Sequence, residues 1–460
     1  MKKKLSILLS SIVVTTSITI PAYGVEASKV SRLYGNTRYD TSIKIAEEFI
    51  KDGKLDGVII ASGESYPDAL TGSILSKSLN IPILLVNKTI NNSSKQLDFI
   101  ETNLSKDGKI YLLGGNAVVD NDFISYLKNK GFTNIQRLGG QNRYETNNMI
   151  IKEANVNKNT PVIIANANSF PDSLSISNIS SMKGYPILLT YKDILSESLK
   201  ENLKNIEPNK VFIVGGTSVV SDNVKNQIKN ILNIDDSNII RLGGQNRYET
   251  STNILKYFNS DLSKENIFLA SGKDFPDALS VSALAGKKKE PVLLTTGDDM
   301  LTRKNNIDEF KGATLLGGEL VLDKFCEKFL KGEKQFDFCI KNAYEENGEK
   351  YIEGNFSILS DDVDLVKKYI AANKVSPDWI LKDENGGEYI ADKGCDIPIS
   401  SDLKLKVNND VKITALSYPE GKVVSYEIAF KKVNELKNRQ FLIHLDKNNN
   451  VSQIEQVYRP

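Results

Sequence analysis

The chain is 460 residues long and carries 59 Lys and Arg against 58 Asp and Glu, a formal charge of +1. That balance lacks the dense basic surface on which generic nucleic-acid binding depends. The single histidine, His444, would have to serve alone in any Ser-His-Asp triad, and the three cysteines, Cys326, Cys339 and Cys395, contain no Cys-x-x-Cys pair. Neither a structural zinc site nor a cofactor is expected.

The N-terminus reads as an export signal spanning residues 1–27. Lys2, Lys3 and Lys4 form a basic start, Leu5 to Ile20 an apolar stretch, and Pro21 breaks it. Val25-Glu26-Ala27 places small residues at the cleavage positions before Ser28. A retained membrane anchor is the alternative. No other stretch is long and apolar enough to span a bilayer. Cleavage takes the formal charge to −1 and yields a secreted protein with no membrane contact. One disulfide among the three cysteines is compatible with export, and so are buried free thiols.

From Arg32 onwards one motif set recurs three times. Arg32-Leu-Tyr-Gly-Asn-Thr-Arg38-Tyr39-Asp-Thr41 returns as Arg137-Leu-Gly-Gly-Gln-Asn-Arg143-Tyr144-Glu-Thr146 and as Arg241-Leu-Gly-Gly-Gln-Asn-Arg247-Tyr248-Glu-Thr250. The starts lie 105 and then 104 residues apart, a period that fits a small domain rather than a solenoid unit. Next come Tyr66-Pro67-Asp68, Phe170-Pro171-Asp172 and Phe275-Pro276-Asp277, then apolar runs after Pro82, Pro186 and Pro291. The last motif is a glycine pair at Gly114-Gly115, Gly215-Gly216 and Gly317-Gly318.

Each copy alternates strands with helices. Gly57 to Ala61 is a continuous apolar run, the pattern of a strand buried on both faces. Pro67 and Asp68 suit the first turn of a helix that continues through Leu79. Ser93 is placed to cap the next helix. The glycine pair ends a strand, and Asp120 to Lys130 forms a helix stopped by Gly131. The expected fold is α/β: three tandem copies of a small three-layer domain with a mostly parallel sheet. Whether each Arg-Leu segment opens its own sheet or completes the preceding one stays open.

Ligands of such sheets bind beyond the carboxyl ends of the strands. Arg38, Arg143 and Arg247 stand at helix starts, where a guanidinium beside free N–H groups suits a phosphate or carboxylate. Gly114, Gly115, Gly215, Gly216, Gly317 and Gly318 offer backbone donors. Tyr39, Tyr144 and Tyr248, with Tyr66, Phe170 and Phe275, suit sugar rings. Asp68, Asp172 and Asp277 complete the candidate set. The alternative is structural: Arg–Asp pairing within or between copies, turn glycines and core aromatics.

Taken together, these motifs over residues 30 to 331 resemble the type 2 cell wall-binding repeats of clostridial surface proteins. Departures from the family pattern are Tyr34 in place of a glycine and Asn166-Ala167 in place of Ser-Gly. The resemblance implies a pseudo-threefold intramolecular trimer that holds a monomeric protein to the wall through an anionic, teichoic acid-like polysaccharide, in a surface-layer setting with possible protein partners. Repeats are expected at 30–134, 135–238 and 239–333, with a β-rich α+β domain at 335–460. That domain is expected to hold a helix at 360–371 and strands at 403–407, 411–417, 423–431, 439–445 and 451–458. Turns are expected at Pro419 to Gly421 and Asp446 to Asn450. Trp379 suits either its core or an adhesive patch. No nucleophile–base pair is evident, so the protein is read as a binder; a wall-remodelling enzyme with its active site at 335–460, or a structural and adhesive protein, is the alternative.

Overall fold

The computed structural model describes residues 24–51, 54–274, 276–297 and 299–360, then 367, 380–382, 388–390, 395–398, 403–417, 424–436 and 440–456. Most of the export signal, Phe275, Trp379, the turn at Pro419 and Tyr458 lie outside these residues. So does most of the helix expected at 360–371, of which Ser360 ends a strand and Lys367 is helical. Among the described residues no helix is long and apolar enough to cross a membrane.

Three units follow one plan. The first contains β1 (Val30–Leu33), α1 (Arg38–Phe49), β2 (Leu55–Ser62), α2 (Tyr66–Thr71), α3 (Ser73–Leu79), β3 (Ile83–Val86), α4 (Ser94–Asn103), β4 (Leu104–Leu113) and α5 (Asp122–Asn129). The second runs through β5 (Ile135–Leu138), α6 (Arg143–Glu153), β6 (Val162–Asn166), α7 (Phe170–Lys183), β7 (Ile187–Thr190), α8 (Glu197–Ile206), β8 (Val211–Val214) and α9 (Asp222–Leu232). The third comprises β9 (Ile239–Leu242), α10 (Arg247–Tyr257), β10 (Asn266–Ser271), α11 (Pro276–Lys288), β11 (Val292–Thr295), α12 (Met300–Ile307), β12 (Gly312–Leu316) and α13 (Lys324–Leu330).

Side-chain alternation explains the apolar runs. In the first unit Val58, Ile60, Leu84, Val86, Ile110 and Leu112 join Leu97, Ile100, Phe123 and Leu127 of α4 and α5 in one core. Their neighbours Ile59, Ala61, Ile83, Leu85 and Leu113 belong to a second core with Leu70, Ile74 and Leu75 of α2 and α3. Helices therefore cover both faces, as a parallel sheet requires. Pro67 sits in the first turn of α2 as expected. Ser93 occupies the N-cap position of α4 without capping it. Its hydroxyl instead accepts from Asn87 N and donates to Thr89 O, tying down the loop before the helix.

Sheet membership resolves the phase of the repeat. The parallel sheets run β3-β2-β4-β5 and β7-β6-β8-β9, so each Arg-Leu strand completes the preceding unit. The first Arg-Leu strand completes the last sheet instead, ordered β1-β12-β10-β11. Val30 pairs with Ala313 and Leu33 with Leu316. The chain's beginning thus closes its three units into a ring of heterologous interfaces. At the centre α3, α7 and α11 pack on one another, and α1, α6 and α10 pack on α11, α2 and α7 of the adjoining units. The central approach is close: Ser73 Oγ donates to Ser180 Oγ at 2.9 Å, and a Cβ on Gly286 would lie 2.5 Å from Ser181 Cβ and 2.8 Å from its carbonyl carbon.

The C-terminal part is a small barrel. Strands β13 (Gln335–Glu346), β14 (Glu349–Ser360), β15 (Ile380–Lys382), β16 (Glu388–Ile390), β17 (Cys395–Pro398), β18 (Leu403–Ser417), β19 (Val424–Glu427), β20 (Gln440–Leu445) and β21 (Val451–Gln456) follow in order. Seven of them form a sheet ordered β17-β14-β13-β20-β21-β18-β19, and an extra β14–β18 pairing closes it. Its interior holds Phe338, Ile352, Phe356, Val407, Phe441 and Ile454. The long β13–β14 hairpin was not anticipated, although Asn347-Gly348 at its turn takes the two positive φ angles, 53° and 78°, that this dipeptide favours. The two strands expected at 403–407 and 411–417 are one, and the strand expected over 423–431 ends at Glu427, where a 3-10 helix takes over from Phe430. Asp446 accepts from Asn448 N and Asn450 N, making the expected turn. His444 is a strand residue on β20, and Cys326 is buried on α13, its thiol donating to Gly297 O at 3.6 Å. The barrel is fastened to the ring by Phe325 of α13, which is buried and stacks on Phe356 with ring centroids 3.9 Å apart.

Because the clash at Gly286 involves backbone of α7, Gly286→Ala forces the two helices apart. It should lower the unfolding free energy by about 1–3 kcal/mol in urea titration, the usual cost of overpacking.

Candidate functional site

The repeated motif builds one local structure three times. Asn142 caps α6 by accepting from Tyr144 N and Glu145 N, Asn246 does the same for α10, and Thr37 accepts from Asp40 N on α1. The conserved threonine steadies the loop behind: Thr41, Thr146 and Thr250 accept from the N–H of Gly35, Gly140 and Gly244 at 3.1, 3.1 and 3.0 Å. The loop glycine is required by contact, since a Cβ on Gly140 would lie 2.3 Å from Glu145 Cβ. This geometry fixes Arg38, Arg143 and Arg247 as the first residues of α1, α6 and α10.

Each of these arginines spans a seam between units. Within its own unit it donates to a strand-end carbonyl: Arg38 to Gly63 O at 2.9 Å, Arg143 to Ala167 O at 2.5 Å and Arg247 to Gly272 O at 2.6 Å. Across the seam its charge acts on the Pro-Asp carboxyl of the adjoining unit, Arg143 on Asp68, Arg247 on Asp172 and Arg38 on Asp277. Tyr66 of the first unit also reaches across, donating to the same Ala167 carbonyl at 2.7 Å.

The carboxyl groups are held beneath the glycine pair. Gly114, Gly215 and Gly317 adopt φ of 93°, 94° and 88°. A Cβ there would lie 2.6, 2.8 and 2.5 Å from an oxygen of Asp68, Asp172 and Asp277. Burial pushes Asp68 up to about 6, with Arg143 only partly opposing. Asp277 also rises to about 6, through burial and then the charge of Asp274, against Arg38. Burial raises Asp172 too, against a hydrogen bond from Thr250 and the charge of Arg247. The second glycines differ: beyond Gly115, Gly216 and Gly318 the nearest atoms to an added Cβ stand 3.5, 3.9 and 3.8 Å away. Neither φ nor packing demands glycine there, so each leaves a bare stretch of backbone at the seam. At the third-to-first seam, where β1 docks, the cleft measures about 560 Å³ and is lined by Arg38, Asp274, Asp277, Gly317 and Gly318.

The tyrosines sit elsewhere. Tyr39 and Tyr248 lie against the ends of β2 and β10, where a Cβ on Gly63 or Gly272 would come within 2.5 or 2.3 Å of the ring. Tyr144 is buried and packs on Tyr191 at a centroid distance of 4.2 Å. The structure therefore brings together Arg, Asp and Gly-Gly from adjoining units, with the tyrosines bracing the strand ends behind them. The first arginine of each motif, which sequence reasoning passed over, clamps the glycine turn. Arg32 donates to Gly317 O and Leu322 O at 2.9 and 2.7 Å, Arg137 to Gly114 O at 2.8 Å and Arg241 to Gly215 O and Val220 O at 3.1 and 2.8 Å. Its recurrence in all three copies was the available signal.

Three parallel α/β units are closed in a ring, with an arginine, an acid and a glycine pair brought together at each seam. The chain belongs to the Cell wall binding domain 2 (CWB2) family, whose profile matches residues 32–124, 137–225 and 241–327. It is similar to the N-acetylmuramoyl-L-alanine amidase LytC of Bacillus subtilis (strain 168), at 27% identity over 61% of this chain and 53% of the relative. The Amidase enhancer of the same organism is 28% identical over 63% of this chain and 38% of its own length. The chain thus spans about half or less of these relatives. Among solved structures, Cwp6 from Clostridium difficile superposes with a TM-score of 0.57 at 27% identity, over 65% of this chain and 47% of that one.

Two predictions separate the arginines and the acids. Arg32→Ala removes partly buried, charge-assisted bonds at the ring closure and should cost about 3 kcal/mol in urea unfolding, whereas the more exposed Arg38→Ala should cost under about 1 kcal/mol. For Asp68, the folded state holds its proton to higher pH than the unfolded chain does. Its contribution to stability therefore falls as pH rises from about 4 to 6, by at most about 3 kcal/mol. Asp68→Asn should erase that slope, so that the variant gains on the parent across this window in denaturation series.

Proposed function

We propose that the protein is a non-covalent anchor that attaches to the Gram-positive cell wall by binding an anionic, teichoic acid-like polysaccharide, leaving the C-terminal barrel on display. The observation that carries this reading is the seam between units: a helix-start arginine, a bare glycine backbone and a buried acid, repeated around a ring. Arg143 and Arg247 supply rigid guanidinium groups suited to phosphodiester oxygens. The second glycines let the polymer backbone approach closely. A repeating polymer engages several such sites, and linkage converts weak single contacts into lasting retention.

Family membership supports the wall as target, and likeness to Cwp6 and to LytC supports a surface location. The matches to the two Bacillus proteins fall on the repeat region, so the shared part is the binding body. We read the chain as a binder rather than an enzyme, exported by its N-terminal signal and associated with the surface layer as a monomer.

Co-sedimentation of the exported chain with purified walls tests this reading. Binding should vanish once hydrofluoric acid removes phosphodiester-linked polymers, and should weaken roughly a hundredfold in the Arg143→Ala/Arg247→Ala variant. A variant that folds and sediments like the parent would refute the anion-binding role of these arginines. Retention on stripped walls would move the target to peptidoglycan.

A further inference from the structure

The three seams are not equivalent, and the differences gather at the seam that β1 closes. Aspartate 274 occupies the position held by Ser65 and Ser169 in the other units. Asp274 pairs with Arg38 at 2.9 Å, across the ring closure. A second cation on the same cleft, Lys324, lies 3.6 Å from Glu319. Both positive groups of this cleft are therefore matched by carboxylates of the protein itself. The rim differs as well. Tyr34 replaces Gly139 and Gly243, at positions where a Cβ would lie 2.4 Å from Gly114 O and 2.7 Å from Gly215 C. The Tyr34 ring lies over the Gly317-Gly318 turn, its Cδ2 3.8 Å from where a Cβ on Gly318 would stand, and forms one wall of this cleft. The ring of Tyr34 is 53% exposed, and Leu320, where the other copies have Ala117 and Ser218, is 50% exposed.

We propose that the third-to-first cleft is a subsite for an uncharged sugar residue of the polymer, while the other two seams take its phosphates. This rests on the anchoring function proposed above. An open aromatic ring beside carboxylates is the arrangement that holds a pyranose: C–H faces pack on the ring and hydroxyls donate to Asp274. A phosphate entering the same cleft would have to displace Asp274 from Arg38, a like-charge contact that Ser65 and Ser169 do not make at the other two seams. The volume of about 560 Å³ lies within the range of ligand pockets, roughly 300–1,000 Å³.

The test uses the full exported chain and two probes from the same walls: the intact phosphodiester polymer, and the neutral oligosaccharide units that hydrofluoric acid releases from it. The variants Asp274→Ser and Tyr34→Gly copy residues that the sister units already carry, so the fold tolerates them. In calorimetric titration the parent should bind the neutral oligosaccharide, and each variant should lose about tenfold, the worth of one charge-assisted hydrogen bond or stacked ring. Arg143→Ala/Arg247→Ala should leave that binding unchanged while losing the intact polymer. Neutral-probe binding that is absent in the parent, or unaffected in both variants, would overturn the sugar subsite while polymer binding upholds the anchor. A gain in polymer affinity by Asp274→Ser with no loss of the neutral probe would overturn it too, making Asp274 only a block. Failure of the parent to bind either probe would sink the anchor and the subsite together.

Discussion

The pairing of β1 with β12 is the contact on which the rest depends. Four residues, Val30–Leu33, complete a sheet whose other strands lie between Asn266 and Leu316, with Ser31 and Thr314 joined side chain to side chain at 3.0 Å. Without it the third sheet would expose the edge of β12, and the third-to-first seam would have no Arg38. A ring of heterologous interfaces has no free end to mismatch. Closure therefore both protects a sheet edge and creates the cleft at the third-to-first seam.

The same closure explains why charge and glycine gather where they do. At each seam an arginine of one unit faces an acid of the next, while a second arginine ties the Arg-Leu strand to the glycine turn. Glycines at the turn admit the carboxyl groups of Asp68, Asp172 and Asp277, whose ionised forms are poorly solvated there. Natural cores avoid such groups unless something compensates them. Here the arginine across each seam opposes only part of the cost of burial, so the acids keep a raised proton affinity.

Much of the architecture was legible in the chain. Pro67 and Asp68 announce a helix start, Gly114 a strand end with positive φ, and the apolar runs a doubly covered sheet. The phase of the repeat was not, because a four-residue Arg-Leu strand between two turns fits either sheet, and only the ring decides. Nor was the part played by Arg32 legible: it recurs in every copy as Arg38 does, yet its enclosure by carbonyls exists only once the strand is docked. The tyrosines recur for packing behind the strand ends, where Gly63 and Gly272 make room for them. In the barrel, Asn347-Gly348 carried a hairpin signal that the alternation around it supports, while the strand expected to Lys431 gives way after Glu427.

The stack of Phe325 on Phe356 links the barrel to the helix that directly follows the Gly317-to-Asp323 loop. That loop lines the third-to-first cleft and accepts the Arg32 clamp through Gly317 and Leu322. The connection has a mechanical meaning. Shear or tension between the barrel and the ring enters the ring at its seam, along the line where the first strand is held in place, so the grip of that strand sets the load the ring bears before it opens.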